Sequence, residues 1–304
     1  MRKVDSQRTV ASLAGLAAIV LWSATVGLSR LVTEPLGPLA AGAAIYLLAG
    51  ALGCAALLVR PGALRAIGRL PRRYVFGCGG LFALYTVCLY GAVALAAGRQ
   101  QVLEVGVINY LWPGLTLVLS VPLLRKRAGL AFPVAAMVGF AGVVLATWPP
   151  GRLRWAAFAA SLASSAWPYL LALIGAVTWA LYSNLARRWA GHAEGQAVPL
   201  FVLATGAGMG AMRLALGGPW RWAPGAIAPL ILTALGPALL GYVLWDLAMR
   251  RGHVTLVASA AYLTPLLSTG ISCAVLGVLP GANLWLGCGL VAAGAVLCKL
   301  SLRS

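Results

Sequence analysis

The sequence predicts an all-α polytopic membrane protein with ten transmembrane helices in two inverted five-helix repeats. Three observations predict it: hydrophobic runs of membrane-crossing length fill the chain, basic residues recur once every two runs, and the second half aligns on the first. Of 304 residues, 62% are hydrophobic and 9% are charged. An α-helix needs roughly 20 apolar residues to cross a bilayer. Unsatisfied backbone groups cost several kcal/mol each in hydrocarbon, so runs this long and continuous form helices. The same composition excludes a soluble globule.

The predicted helices are 10–30, 36–59, 74–97, 102–124 and 130–148, then 168–188, 197–216, 225–249, 253–278 and 283–301. This divides the chain into a first repeat (1–150), an extracytoplasmic amphipathic connector (151–167) and a second repeat (168–304). Arg2 and Lys3 precede the first run as in a signal sequence. That run is too long and lacks a small-residue cleavage site before a soluble domain, so it is expected to be retained as a helix. The connector region, PPGRLRWAAFAASLASSAW over 149–167, is too polar and too short to cross. It is expected to lie in the outer interface as the hinge between halves.

The net charge of +18 has the sign that nucleic acid attracts, but its spacing points to a membrane instead. Seventeen of the 23 Lys and Arg residues fall in alternate segments: Arg2, Lys3 and Arg8; Arg60, Arg65, Arg69, Arg72 and Arg73; Arg125, Lys126 and Arg127; Arg187 and Arg188; Arg250 and Arg251; Lys299 and Arg303. Six (Arg30, Arg99, Arg152, Arg154, Arg213, Arg221) fall on or near the other side. Positive residues favour the cytoplasm, which puts both termini there. The partners expected are a lipid bilayer and a small-molecule substrate, with no nucleic acid.

Sliding the chain by 152 residues lays Asn109-Tyr110-Leu111-Trp112-Pro113 over Ala261-Tyr262-Leu263-Thr264-Pro265. The same offset matches Tyr90 with Tyr242, Arg99 with Arg251 and Gly142 with Gly294, and an offset of 157 matches Trp22 with Trp179. Five helices per half is an odd number, so the second copy must insert upside down; Arg99 outside and Arg251 inside agree with this. Inverted repeats place substrate near the bilayer midplane between the halves and support alternating access.

Ten helices in two such halves, with paired Tyr-Leu-x-Pro in the fourth and ninth, resemble the drug/metabolite transporter superfamily in its EamA branch. The Leu21-Trp22-Ser23 and Asn109–Pro113 stretches, together with the long central connector, look most like the aromatic amino-acid exporters of the YddG type. The resemblance covers essentially the whole chain. It implies a multi-pass protein of the bacterial inner membrane that moves amino acids outward, with helices five and ten peripheral. One departure stands out: many relatives carry a Glu soon after helices four and nine, where this chain has Leu124-Arg125-Lys126 and Val278-Leu279.

Pro113 and Pro265 are placed within helices, where each removes a donor and frees the carbonyl four residues earlier, of Asn109 and Ala261. Either these bends offer acceptors to a substrate ammonium, or they only shape packing. Asn109 and Trp112 share a helical face, and Asn109 needs a partner inside the bundle.

Trp22, Tyr85, Tyr90, Tyr110, Trp179, Tyr182, Tyr242 and Tyr262 complete the candidate substrate site. Most of them lie mid-helix, whereas interfacial anchors such as Trp148, Trp155, Trp167, Trp189, Trp220, Trp222 and Trp285 lie near helix ends. Offset ring pairs contribute about 0.5 to 1.5 kcal/mol beyond burial, and the rings could equally be core packing or hold a cation.

The only acids are Asp5, Glu34, Glu104, Glu194 and Asp246. Asp5, Glu34 and Glu194 are assigned to the tail or loops. Asp246 is expected to pair with Arg250 at i+4, and Glu104 with Arg99. Obligatory proton antiport through a buried carboxylate is therefore not expected, and transport along the solute gradient is.

No catalytic residues are expected. There is no Gly-Lys phosphate cradle, no HExxH and no Cys-His cluster, so no cofactor and no metal is expected. His192 and His253 join no catalytic pattern. Cys54, Cys78, Cys88, Cys273, Cys288 and Cys298 lack metal-ligand spacing and are expected to pack as small residues. Gly206-x-Gly208-x-Gly210 is expected to serve close helix packing. Two other readings fit the same residues: an exporter of cationic drugs or other metabolites, and a membrane enzyme acting on lipid head groups. Ten helices suffice for a monomer and are equally compatible with a dimer.

Overall fold

The structure, a computed structural model, describes residues 2–97, 99–147, 159, 162–163, 165–191, 193, 195–217, 224–276 and 282–303. These residues are helical almost throughout. The connector lies largely outside the described residues, as do His192, Glu194, Trp148, Trp155, Trp220 and Trp222.

The first path consists of α1 (Arg2–Ser23) and α2 (Thr25–Leu36), bent at Ala24. It is longer at both ends than expected, and Glu34 lies in helix rather than in a loop. The stop comes from Gly37, whose φ of 78° and ψ of 158° suit only glycine. Its N–H closes onto the Thr33 carbonyl at 2.8 Å. Pro38 then opens α3 (Pro38–Val59), at a position where a missing N–H costs nothing.

The short α4 (Ala63–Gly68) leads to a π-helical turn, Arg73–Cys78, that runs into α5 (Gly79–Leu95). After α6 (Arg99–Asn109), α7 (Trp112–Leu124) and α8 (Ala131–Thr147), the chain resumes with α9 (Trp167–Ala190) and α10 (Val198–Leu216). Then α11 (Ile227–Thr233) passes through a second π-helical stretch, Ala234–Gly241, into α12 (Tyr242–Arg251). The chain closes with α13 (Val254–Ala260), α14 (Leu263–Leu276) and α15 (Ala282–Ser301). An unpredicted two-residue ladder pairs β1 (Arg127–Ala128) with β2 (Leu302–Arg303), antiparallel.

Among the described residues, six helical stretches are long and apolar enough to cross a bilayer: Pro38–Val59, Arg73–Leu95, Glu104–Leu124, Trp167–Ala190, Val198–Leu216 and Pro224–Arg251. Shorter apolar helices are Ala131–Leu145, Val254–Ser268 and Trp285–Cys298. Large apolar side chains such as Val59, Phe76, Leu130 and Leu214 face outward. That is costly in water and costs nothing in lipid. The chain is an all-α polytopic membrane protein.

The fourth and ninth predicted helices are each interrupted. The first breaks at Tyr110-Leu111, between α6 and α7, and the second at Ala261-Tyr262, between α13 and α14. The expectation of mid-helix prolines is corrected: Pro113 and Pro265 sit in the first turn after each break, where the N–H has no intrahelical acceptor. The Ala261 carbonyl is not left free either, because it accepts the Thr264 N–H at 3.1 Å.

Glycines set how close the helices come, as association in lipid depends on packing. A Cβ on Gly50 would meet the Leu203 backbone nitrogen at 2.5 Å, and one on Gly206 the Leu47 nitrogen at 2.5 Å, so α3 and α10 touch backbone to backbone. Gly208 and Gly210 meet nothing within 4 Å, which corrects the expectation that all three glycines of that run serve packing. Between α8 and α15 the same role falls to Gly142 and Gly294: a Cβ added there would stand 2.7 Å from the Val291 nitrogen and 2.5 Å from the Gly139 nitrogen.

Overpacking costs about 1–3 kcal/mol, with little room to relax against backbone. Gly206→Val is therefore expected to lower the melting temperature in detergent, and Gly208→Val to leave it within error. Cys54, Cys78, Cys88, Cys288 and Cys298 are free and partly or fully buried.

Candidate functional site

Seven of the expected aromatic residues belong to one continuous set of touching rings. Trp22 of α1 is its hub, with centroids 5.2 Å from Trp245, 5.4 Å from Tyr242, 5.7 Å from Trp179 and 6.3 Å from Trp112. Trp179 continues to Tyr85 at 4.7 Å and Tyr182 at 5.0 Å. On the other side, Tyr242 meets Tyr46 at 6.0 Å, and Tyr46 meets Tyr90 at 6.1 Å. The tilted and edge-on geometries are those favoured by ring quadrupoles.

Local backbone irregularity positions the hub. Pro237, inside the π-helical stretch before α12, has a carbonyl that accepts the Trp22 indole N–H at 3.2 Å. Such a wide turn loosens the i→i−4 ladder and leaves acceptors for side chains. Gly241 completes the notch, since a Cβ there would stand 2.7 Å from Trp22 Nε1. The Tyr46 and Tyr242 hydroxyls lie 2.6 Å apart, and the Trp245 indole donates to Ser183 Oγ at 3.1 Å. Buried tyrosine and tryptophan polar tips need such partners.

Sequence reasoning missed three rings of this set: Tyr46, Trp245 and Phe82, whose centroid lies 4.7 Å from that of Tyr242. Tyr46 sits mid-helix and meets the criterion applied to the other tyrosines. Trp245 lies one turn after Tyr242 on the same face, yet its place near the end of the predicted helix concealed it.

Three expected residues stand apart from the hub. Asn109 ends α6 beside the Tyr85 hydroxyl, yet no donor among the described residues reaches its Oδ1 within hydrogen-bonding geometry. Tyr110 and Tyr262 pack in a second cluster with Leu117, Phe132 and Val291, against α8 and α15. The Tyr262 hydroxyl donates to the Ala136 carbonyl at 3.4 Å, and a Cβ on Gly114 would collide with it. The breaks before Pro113 and Pro265 therefore lie within reach of each other. Among the expected anchors, Trp167 and Trp285 are exposed, whereas Trp189 packs on the core against Gly77.

The expected Asp246–Arg250 pair is present at 3.3 Å. It is more elaborate than a surface i,i+4 contact. Asp246 is fully buried and also accepts the Tyr74 and Tyr182 hydroxyls, each at 2.9 Å. Arg250 donates to the Ala190, Ala193 and Gly195 carbonyls and lies over the Tyr74 ring. Glu104 is buried, and the Tyr169 hydroxyl donates to it. The Arg99 side chain expected beside it is outside the described residues.

Nearby, Arg187 donates to the Met249, Arg250 and Gly252 carbonyls, and Lys126 to the Thr255 hydroxyl. Burial first, then the Arg187 and Arg8 charges, lower the Lys126 ammonium to about 8.

Comparison with known proteins gives one consistent answer. Residues 166–299 match the EamA-like transporter family. The chain is 32% identical over 296 residues to the aromatic amino acid exporter YddG of Escherichia coli (strain K12), covering 97% of this chain and 99% of that protein. It is likewise 32% identical over 293 residues to the aromatic amino acid exporter YddG of Salmonella typhimurium (strain 14028s / SGSC 2262), covering 96% and 98%. A protein of known crystal structure, 30% identical, superposes with a TM-score of 0.78 over 96% of this chain and 98% of its own. Such identity along nearly the full length makes the alternative of a lipid-modifying enzyme untenable. This chain belongs to the EamA-like transporter family.

Proposed function

We propose that the protein exports amino acids with aromatic or large apolar side chains by alternating access, with the ring network around Trp22 as the substrate path. The observation that carries this reading is the continuity of that network. It joins α1, α3, α5 and α7 to α9 and α12, so the rings bridge the two halves of the chain. Trp22, Tyr85, Tyr90, Trp112, Trp179, Tyr182 and Tyr242 offer faces to an apolar substrate side chain. Asn109, Tyr110 and Tyr262 stand at the two helix breaks, each followed within a turn by a proline, Pro113 or Pro265. The relatives' names support the choice of aromatic amino acids as substrate.

In this reading each interrupted helix counts as one crossing, which gives ten, five in 1–150 and five in 168–304, with the connector outside and both termini cytoplasmic. The matched breaks one repeat apart support an inverted pair. So do Gly142 and Gly294, which are equivalent under the repeat and lie on one seam. Transport runs down the solute gradient: Asp246 is held by an arginine and two tyrosines, and Glu104 by a tyrosine.

Purified protein in liposomes is expected to take up labelled phenylalanine and tryptophan saturably with no pH gradient. Complete dependence on an imposed proton gradient would refute passive transport. Efflux of lipophilic cationic dyes without any amino-acid flux would overturn the substrate assignment.

A further inference from the structure

Side-chain hydroxyls buried in these helices almost always turn back on their own backbone. Ser23, Thr86, Thr116, Ser183 and Thr205 each donate to the carbonyl four residues earlier, at 2.7 to 3.2 Å. Five buried polar atoms have no partner among the described residues: Thr25 Oγ1, Asn109 Oδ1, Asn184 Oδ1, Ser259 Oγ and Thr264 Oγ1. All except Asn184 stand within two residues of a helix break, at Ala24, Tyr110-Leu111 or Ala261-Tyr262. An unpaired buried polar group is unfavourable. Its recurrence at each of three interruptions calls for an explanation other than chance.

The three breaks also meet. The Ser23 hydroxyl lies 3.4 Å from the Thr264 carbonyl, which brings the bend of the first helix against the start of α14. Trp22 lies 6.3 Å from Trp112, which brings the same bend against the start of α7. Tyr262 reaches Gly114 across the remaining side. Thr264 is 8% exposed. Beside these groups lie the rings, so an apolar side chain and a polar head would be served by adjoining surfaces.

We infer that Thr25, Thr264 and Asn109 bind the zwitterionic head of the substrate: the two hydroxyls donate to the α-carboxylate, and Asn109 Oδ1 accepts from the α-ammonium. This deepens the export reading above and rests on it. Neutral donors and acceptors suit a transporter, since a buried counter-charge would hold the zwitterion too tightly to release it. While the rings pack on one another these groups stay unpaired, so the entering substrate supplies what the protein lacks.

The test uses Thr25→Val, Thr264→Val, Thr264→Ser and Asn109→Leu in proteoliposomes. Phenylalanine is the substrate, and phenethylamine (no carboxylate) and 3-phenylpropionate (no ammonium) are the inhibitors. Each valine variant is expected to raise KM for phenylalanine about tenfold, to spare inhibition by phenethylamine and to abolish that by 3-phenylpropionate. Asn109→Leu should show the converse selectivity, and Thr264→Ser should retain the wild-type KM.

Because the Thr264 hydroxyl has no partner to lose, substrate-free Thr264→Val should melt at or above the wild-type temperature. Melting below wild type, or unchanged KM in both valine variants, overturns the inference. Wild-type protein that moves no phenylalanine sinks the export reading itself.

Discussion

Trp22→Ala is expected to reduce amino-acid flux at least about tenfold while leaving the protein folded. Trp22 touches four other rings, and each such contact is worth about 0.5 to 1.5 kcal/mol. Its own side chain is only half-buried, so truncation costs less stability than at a fully buried ring. Trp245 provides the contrast. It is fully buried in the same network, and Trp245→Ala should cost about 3 to 5 kcal/mol of stability. Trp22→Phe keeps a ring but loses the donor to Pro237, and intermediate flux is expected. Initial uptake rates normalised to folded protein separate these outcomes. Wild-type flux in Trp22→Ala would remove the hub from the transport path.

The second large effect is on stability. Arg250→Met is expected to destabilise the protein by about 3–5 kcal/mol, since it strands a buried carboxylate. It also deprives the Ala190, Ala193 and Gly195 carbonyls of their donor. Asp246→Asn should cost clearly less. Arg250 would keep those carbonyls, and the new amide oxygen could still accept from Tyr74 or Tyr182. The asymmetry separates this network from an isolated ion pair, for which the two losses would be similar. Thermal unfolding in detergent of both variants measures it, and equal losses would refute the role assigned to the carbonyls.

Much of this was legible in the chain. The Asp246–Arg250 contact follows from i,i+4 spacing, and the central tryptophans and tyrosines from their distance to the helix ends. The helix breaks were half-legible: the two prolines announced them, but a proline in the first turn after a break leaves the same sequence trace as one in a kinked helix. Tyr74 was not legible as a partner of Asp246, because the two are separated by 172 residues and meet only through packing. Gly206 and Gly208 look equivalent in sequence, yet only one faces α3.

Composition, run length and the placement of arginines and lysines were enough to establish a helical membrane protein. Solvation in lipid acts on each segment separately, and a segment carries its own hydrophobicity. Folding together decided which rings touch, which polar groups are paired and which are left without partners at the breaks. Those outcomes depend on side chains from distant segments meeting, and no single segment records its neighbours.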